Sequence, residues 1–137
     1  MNRTEFQRLS NLRLEESKAL LAAGFADGAY YLAGYAVECA LKACIAKRTR
    51  EHDFPEKGSH KFYSHDLEDL VGFALLRVEL DQSLQADPTM KTNWTVIQNW
   101  SEESRYEANR TLQEATDLLN AIEDQKGGVL LWLRQRW

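Results

Sequence analysis

The segment of residues 30–48, YYLAGYAVECALKACIAKR, constrains the fold more than any other part of the chain. Small and apolar residues occupy nearly every side of a helix with 3.6 residues per turn, so we predict a helix over residues 26–48 that is buried on most of its circumference. Such a helix needs other helices packed around it. We therefore expect it to be the central helix of the fold.

A glycine, Gly34, lies in the middle of this predicted helix. An interior glycine costs about 0.5 to 1 kcal/mol relative to alanine. This cost is commonly offset when a second helix backbone approaches closely. Together with Ala33, Ala36 and Ala40, Gly34 predicts a close helix crossing.

A glutamate, Glu38, also lies among these residues, four positions before Lys42. The Glu-before-Lys order at this spacing stabilises an exposed helix surface, so the two residues can form the solvent edge of the helix. A polar site or a subunit contact is the alternative interpretation.

The rest of the chain also favours helices and contains few strand signals. We predict a first helix over residues 3–22 that ends at Gly24, and a polar loop over residues 49–63. The later predictions are a helix N-capped by Ser64 and a short helix after a turn at Pro88. A long helix follows over residues 100–124 with Ser101 as its N-cap, and a final apolar segment stands after Gly127 and Gly128. The expected fold is all-α, an antiparallel bundle of four to five helices in a single domain over residues 1–137.

Composition limits the possible functions. The net charge of −4 disfavours a polycation that grips nucleic acid with its whole surface. No apolar run approaches the roughly 20 residues of a membrane span, and the N-terminus has no apolar core of a signal peptide, so we expect a cytoplasmic protein with no membrane contact. Cys39 and Cys44 are separated by about 140° around a helix and are expected to be reduced core residues.

Three segments of the sequence resemble the HEPN family, the higher eukaryotes and prokaryotes nucleotide-binding domains. They are YYLAGYAVECALKACIAK at 30–47, SHDLEDL at 64–70 and WSEESRYE at 100–107, and the resemblance covers most of residues 10–125. It implies a bundle of about five helices and a homodimer with a cleft at its two-fold axis. It also implies a role in bacterial stress, defence or toxin-antitoxin systems, with a nucleotidyltransferase or another protein encoded beside it as the partner.

Many proteins of this family are metal-independent ribonucleases with an arginine followed, after four to six residues, by a histidine. The arginine stabilises charge at the scissile phosphate and the histidine supports proton transfer. By resemblance the arginine is Arg105, but the positions for the histidine hold Arg110, Thr111 and Leu112. We therefore expect a non-catalytic binding module that takes nucleotide or RNA, with a divergent endoribonuclease that uses Arg105 as the alternative.

The spacing of Arg105 from Leu112 and Leu119 predicts that it faces the bundle or its cleft. Arg105 then either pairs with a carboxylate such as Glu38 or binds phosphate together with Arg110. The neighbouring Tyr106 is expected to pack, with base stacking as the alternative.

The remaining candidate is His65, which either organises the start of a helix or belongs to the ligand site. The three histidines and two cysteines match no zinc spacing, so we predict no metal site and no cofactor. Trp132 and Trp137, in the apolar C-terminal segment, are expected to pack on the same chain or on a second subunit.

Overall fold

The computed structural model describes residues 1–49 and 63–137. Within these residues the fold is all-α, as predicted, and contains no β-strand. It has more helices than the four or five expected, because two predicted helices are divided. The seven α-helices are α1 (Arg3–Ala22), α2 (Ala26–Lys47), α3 (Leu67–Phe73), α4 (Arg77–Ala86), α5 (Pro88–Gln98), α6 (Leu112–Glu123) and α7 (Val129–Arg134), with a 3-10 helix at Glu102–Tyr106 between α5 and α6.

The first two helices match their predicted bounds because their local signals are strong. Asn2 and Glu5 form a reciprocal capping box at the start of α1. After α1, Gly24 adopts a φ of 87°, in the region that favours glycine, and the chain turns directly into α2.

Helix α2 is the central helix, as predicted, and most of its residues are buried. Helix α1 packs closely along it: the Ser10 hydroxyl donates to the carbonyl of Ala36 at 2.7 Å, and the Ser17 hydroxyl donates to that of Ala29 at 2.6 Å. Helices α3, α6 and α7 and the 3-10 helix also contact α2. A hydrophobic core therefore surrounds α2 along most of its length.

The close helix crossing predicted around Gly34 is found at Ala36, where α1 approaches, but it is wrong for Gly34 itself. A Cβ atom at Gly34 would lie only 2.2 Å from Cδ2 and Cε2 of the Trp100 indole, and no second backbone is among its three nearest neighbours. The glycine is needed because a buried aromatic ring lies flat on α2 at this position. The close approach of α1 occurs instead beside Ala29 and Ala36.

The helix predicted to start after Ser64 begins at Leu67 instead, and it ends already at Phe73. Its N-cap is Asp66, whose side chain accepts hydrogen bonds from the backbone N–H groups of Glu68 and Asp69. The chain leaves α3 through Leu75, which has a φ of 59°, and α4 follows. Pro88 does not form a separate turn, because it is the first residue of α5, where its missing N–H costs no hydrogen bond.

The long helix predicted over residues 100–124 is correct over α6 but wrong in its start. Residues 102–106 form the 3-10 helix, Glu107 has extended backbone, and α6 begins only at Leu112. Thr111 and Glu114 form a capping box that sets this late start. The periodicity that linked Arg105 to the bundle interior therefore breaks, and Leu112 is itself half exposed.

The C-terminal segment packs on its own chain. Trp132 is buried in α7 and donates from Nε1 to the hydroxyl of Ser83 at 3.0 Å. Arg3 donates to the carbonyl oxygen of Trp137 at 2.6 Å. These contacts confirm burial against the same chain, while a further contact with a second subunit stays a prediction.

Candidate functional site

The centre of the candidate site is a buried ion pair within α2. Glu38 has no solvent exposure, Lys42 is 8% exposed, and Lys42 Nζ lies 3.0 Å from Glu38 Oε1. The prediction that these residues form a solvent edge is wrong. Removing two charged groups from water costs free energy that their mutual attraction often only offsets. Stabilisation of the helix alone therefore does not explain this buried pair.

His65 connects this buried pair to the surface. Its Nδ1 lies 2.8 Å from Glu38 Oε1, although the two residues are 27 positions apart. Its Nε2 lies 3.2 Å from Glu102 Oε2, and 41% of the side chain is exposed. His65 does stand at the start of α3, but its ring contacts α2 and the 3-10 helix, so it does more than organise that helix start.

The two nitrogens of the His65 ring thus face two carboxyl groups. The contact of Nδ1 with Glu38 is a hydrogen bond inside the protein. The contact of Nε2 with Glu102 lies at the surface. His65 therefore joins a buried carboxyl group to a partly exposed one.

Arg105 stands beside this histidine on the 3-10 helix. Its Nη1 lies 3.9 Å from Glu102 Oε2, the same oxygen that faces His65, and 44% of its side chain is exposed. The expected pair of Arg105 with Glu38 is wrong, because within the described residues Glu38 contacts Lys42 and His65 instead. Glu102 thus stands between the His65 ring and the Arg105 guanidinium.

Tyr106 is 73% exposed, and its ring centroid lies 4.8 Å from the guanidinium carbon of Arg105. The expectation that Tyr106 packs into the protein is therefore wrong. An exposed ring with a cation over one face retains its other face for stacking. Base stacking by Tyr106 stays a prediction.

Arg110, the other predicted phosphate ligand, forms structural contacts with neighbouring residues and with α2. Its Nε donates to Glu107 at 2.6 Å and its Nη1 donates to Glu114 at 2.9 Å. Its guanidinium carbon also lies 4.0 Å from the ring centroid of Tyr30, and its backbone N–H donates to Asp27 at 2.8 Å. Within the described residues, no contact joins Arg110 to Arg105.

Beneath the 3-10 helix lies a layer of aromatic rings that fixes its position. Trp100 is 4% exposed and stacks on Tyr31, with ring centroids 6.2 Å apart. Tyr31 stacks in turn on Tyr35 at 5.9 Å. Since Trp100 is anchored on Gly34, the residues that follow it, including Glu102 and Arg105, start from a rigid point.

A small cavity of about 110 Å³ opens beside His65. Trp100, Ser101, Gln98 and Glu68 are among the residues that line it. Burial by itself raises the pKa of Glu68, but hydrogen bonds from Gln98 and Arg77 outweigh this effect and lower the pKa overall. Glu68 is therefore an ionised carboxylate at neutral pH, with its hydrogen bonds already made.

Sequence reasoning missed Glu102 and Trp100 as site residues. Both stand in WSEESRYE, the segment that carried the resemblance around Arg105. The predicted long helix with Ser101 as N-cap would place Glu102 in its first turn, where an acidic residue stabilises the start of a helix. It would place Trp100 just before that N-cap. Their closeness in sequence to Arg105 could have identified both as site residues. Helical periodicity alone gives no indication of such a site.

Residues 1–49 and 63–137 contain no cluster of three or more histidine, cysteine, aspartate or glutamate side chains that could hold a metal ion. None of their helices is long and apolar enough to cross a membrane. His52 and His60, and nearly all of the predicted loop over residues 49–63, lie outside the described residues.

Comparison with known proteins identifies the family. The family model of the HEPN domain matches residues 6–124. Neither a curated protein nor a solved structure gives a significant match. The matched region covers most of the chain, from within α1 to the end of α6, and includes every candidate site residue. The chain therefore belongs to the HEPN domain family.

Proposed function

We propose that this protein is a HEPN binding module that takes the phosphate of a nucleotide or of single-stranded RNA at the surface formed by His65, Arg105 and Tyr106. The observation that carries the proposal is the position of Arg105. Its side chain is 44% exposed, and its contact with the carboxyl group of Glu102 is long at 3.9 Å. Arginine with unused donors suits phosphate because its planar fork can offer two parallel hydrogen bonds.

The neighbouring groups support the same ligand chemistry. His65 adds a second donor directed at the same point as Arg105. Tyr106 offers an exposed aromatic face on which a base can stack. An anionic group with an attached base would use all three side chains together.

Two observations favour binding over cleavage. The family's histidine position after Arg105 holds Arg110, Thr111 and Leu112, of which Arg110 is engaged with two carboxylates. Both ring nitrogens of His65 also face carboxyl oxygens of Glu38 and Glu102. A phosphate bound here would therefore lack the family's histidine, which accepts the proton of the attacking ribose hydroxyl.

A divergent metal-independent endoribonuclease is the second candidate. One observation favours it: a buried carboxylate, Glu38, orients the ring of His65, and such an orienting group is a frequent feature of catalytic histidines. In that case His65 would provide from the start of α3 the histidine that is absent after Arg105.

The proposed assembly is a homodimer that works with a nucleotidyltransferase or another protein encoded beside it in a stress, defence or toxin-antitoxin system. This part of the proposal is supported by membership of the family, in which dimers are frequent. Its direct test is the molar mass in solution, measured by light scattering after size-exclusion chromatography. A monomer at micromolar concentration would contradict it.

The test of the site uses a labelled, mixed-sequence single-stranded RNA and a fluorescent ATP analogue, both with EDTA present. We expect saturable binding of at least one probe to the wild-type protein, and a loss of roughly tenfold or more in affinity for Arg105→Ala. Arg8→Ala is the matched control, because Arg8 is exposed on α1 and the substitution removes the same charge. Equal effects of both substitutions would refute a specific site at Arg105.

The same samples decide between the two candidates when the RNA is analysed on a denaturing gel. An intact probe supports the binding module. Cleavage that persists in EDTA, and that both Arg105→Ala and His65→Ala abolish, would instead establish the endoribonuclease.

A further inference from the structure

We infer that Glu102 occupies the position of the ligand's phosphate and that the ligand binds by displacing this carboxylate. This inference rests on the proposed function, since it concerns the same surface at His65 and Arg105. It adds a residue that controls affinity. Glu102 then acts as an internal competitor for the anion site.

The geometry around Glu102 Oε2 is that of a bound anion. This single oxygen lies 3.2 Å from His65 Nε2 and 3.9 Å from Arg105 Nη1. Two nitrogen groups that can donate hydrogen bonds, one before α3 and one on the 3-10 helix, therefore approach the same carboxyl oxygen. A phosphate oxygen has the same charge preference and the same ability to accept from both groups.

The surroundings distinguish a held site from an accidental surface contact. His65 is fixed from behind by its 2.8 Å contact with Glu38, which is fully buried, and Lys42 pairs with the same carboxylate oxygen. The 3-10 helix that carries Arg105 starts next to Trp100, which lies on Gly34. The donors are thus in place before a ligand arrives, which reduces the entropy cost of binding.

Glu102 itself is held much less firmly than the donors around it. Its side chain is 30% exposed, and its contact with Arg105 is longer than a hydrogen bond. Exposed ion pairs of this kind contribute little free energy, so a multiply charged phosphate can compete with it. The cavity of about 110 Å³ beside His65 and Ser101 gives nearby space.

The adjacent residue, Glu103, provides a matched comparison. It is exposed on the same 3-10 helix, and no ion pair joins it to a described residue. Glu102→Gln and Glu103→Gln each remove one negative charge from the same short helix. A general electrostatic effect would affect both variants equally, whereas competition for the anion position concerns Glu102 alone.

The experiment measures the affinity of the labelled single-stranded RNA and of the fluorescent ATP analogue for the wild type and both variants. We expect Glu102→Gln to tighten binding of at least one probe by roughly three- to tenfold, with a change of less than about twofold for Glu103→Gln. The probe that responds identifies the source of the phosphate. Thermal unfolding of each variant verifies that it is folded, and Glu102→Asp, whose shorter carboxylate reaches the donors less well, replaces Glu102→Gln if that variant does not fold.

The outcomes separate this inference from the proposed function. The inference would be overturned if both variants tighten binding equally, or if Glu102→Gln leaves binding unchanged or weakens it. The proposed function would still stand in these cases if binding depends on Arg105. No binding of either probe by the wild type and by Glu102→Gln would overturn both.

Discussion

Replacement of Gly34 by alanine tests most directly how the central helix supports the candidate site. The added methyl carbon would lie 2.2 to 2.3 Å from three atoms of the Trp100 indole, well inside van der Waals contact. The backbone of α2 cannot yield easily because it is packed along most of its length. Trp100 must therefore move.

The expected magnitude follows from two opposing effects. Alanine is favoured over glycine within a helix by about 0.5 to 1 kcal/mol. Against this, loss of a buried tryptophan's packing costs about 3 to 5 kcal/mol, and Trp100 is 4% exposed. We expect Gly34→Ala to lower the free energy of unfolding by about 2 to 4 kcal/mol.

The assay is urea unfolding followed by far-UV circular dichroism, with tryptophan fluorescence as a second probe. Gly72→Ala is the control, because Gly72 lies in α3 and no atom is found within 4 Å of its added Cβ. That variant should be as stable as the wild type or more stable by up to about 1 kcal/mol. If Gly34→Ala and Gly72→Ala behave alike, the proposed packing of Trp100 on α2 is wrong.

A double-mutant cycle attributes the effect to the right pair of residues. Trp100→Ala removes the ring that the new methyl group would strike. The destabilisation by Gly34→Ala should therefore be much smaller in the Trp100→Ala background than in the wild type. Additive effects would show that Gly34→Ala acts through something other than Trp100.

The remaining predictions concern the buried groups of α2. Glu38→Ala should lower the free energy of unfolding by about 3 kcal/mol or more in urea titrations, because it leaves Lys42 buried without this carboxylate. Glu103→Ala, on the surface, is the control and should change the free energy of unfolding by less than about 0.5 kcal/mol. Burial raises the pKa of both Cys39 and Cys44 to about 12. At pH 8 the folded protein should therefore react with a thiol reagent roughly a thousandfold more slowly than the urea-unfolded chain, and rapid labelling of the folded protein would contradict the burial of the two thiols. Because the folded state keeps thiol protons that the unfolded chain releases above about pH 9, these two groups should also make stability fall as the pH rises from there towards 12.

Local patterns in the sequence predicted those parts of the fold that local interactions decide. The bounds of α1 and the start of α2 follow from a capping box and from Gly24, and the all-α class follows from helical periodicity. The late start of α6 had the same kind of signal in Thr111 and Glu114, but the acidic residues after Ser101 suggested an earlier start. Competing local signals of similar strength cannot be ranked without the packing that decides between them.

The candidate site illustrates the limit of such reasoning. Its members Glu38, His65 and Arg105 were each identified as candidates, but the contacts that join them were not. The contact of His65 with Glu38 joins residues that are 27 positions apart. Glu102 becomes a site residue only through its position between His65 and Arg105. Spacing along a helix does not report contacts between elements.

Helical periodicity along the chain is enough to predict a helical domain around an apolar central helix, and to single out Gly34 and Glu38 within that helix. The roles of these two residues become visible in the packed fold. Gly34 accommodates the Trp100 ring, and Glu38 binds Lys42 and His65 inside the protein. Helix formation depends on neighbours within four residues, a range that includes the pair of Glu38 with Lys42. The Trp100 ring on Gly34 and the contact of His65 with Glu38 come from other elements of the fold, which spacing along α2 does not report.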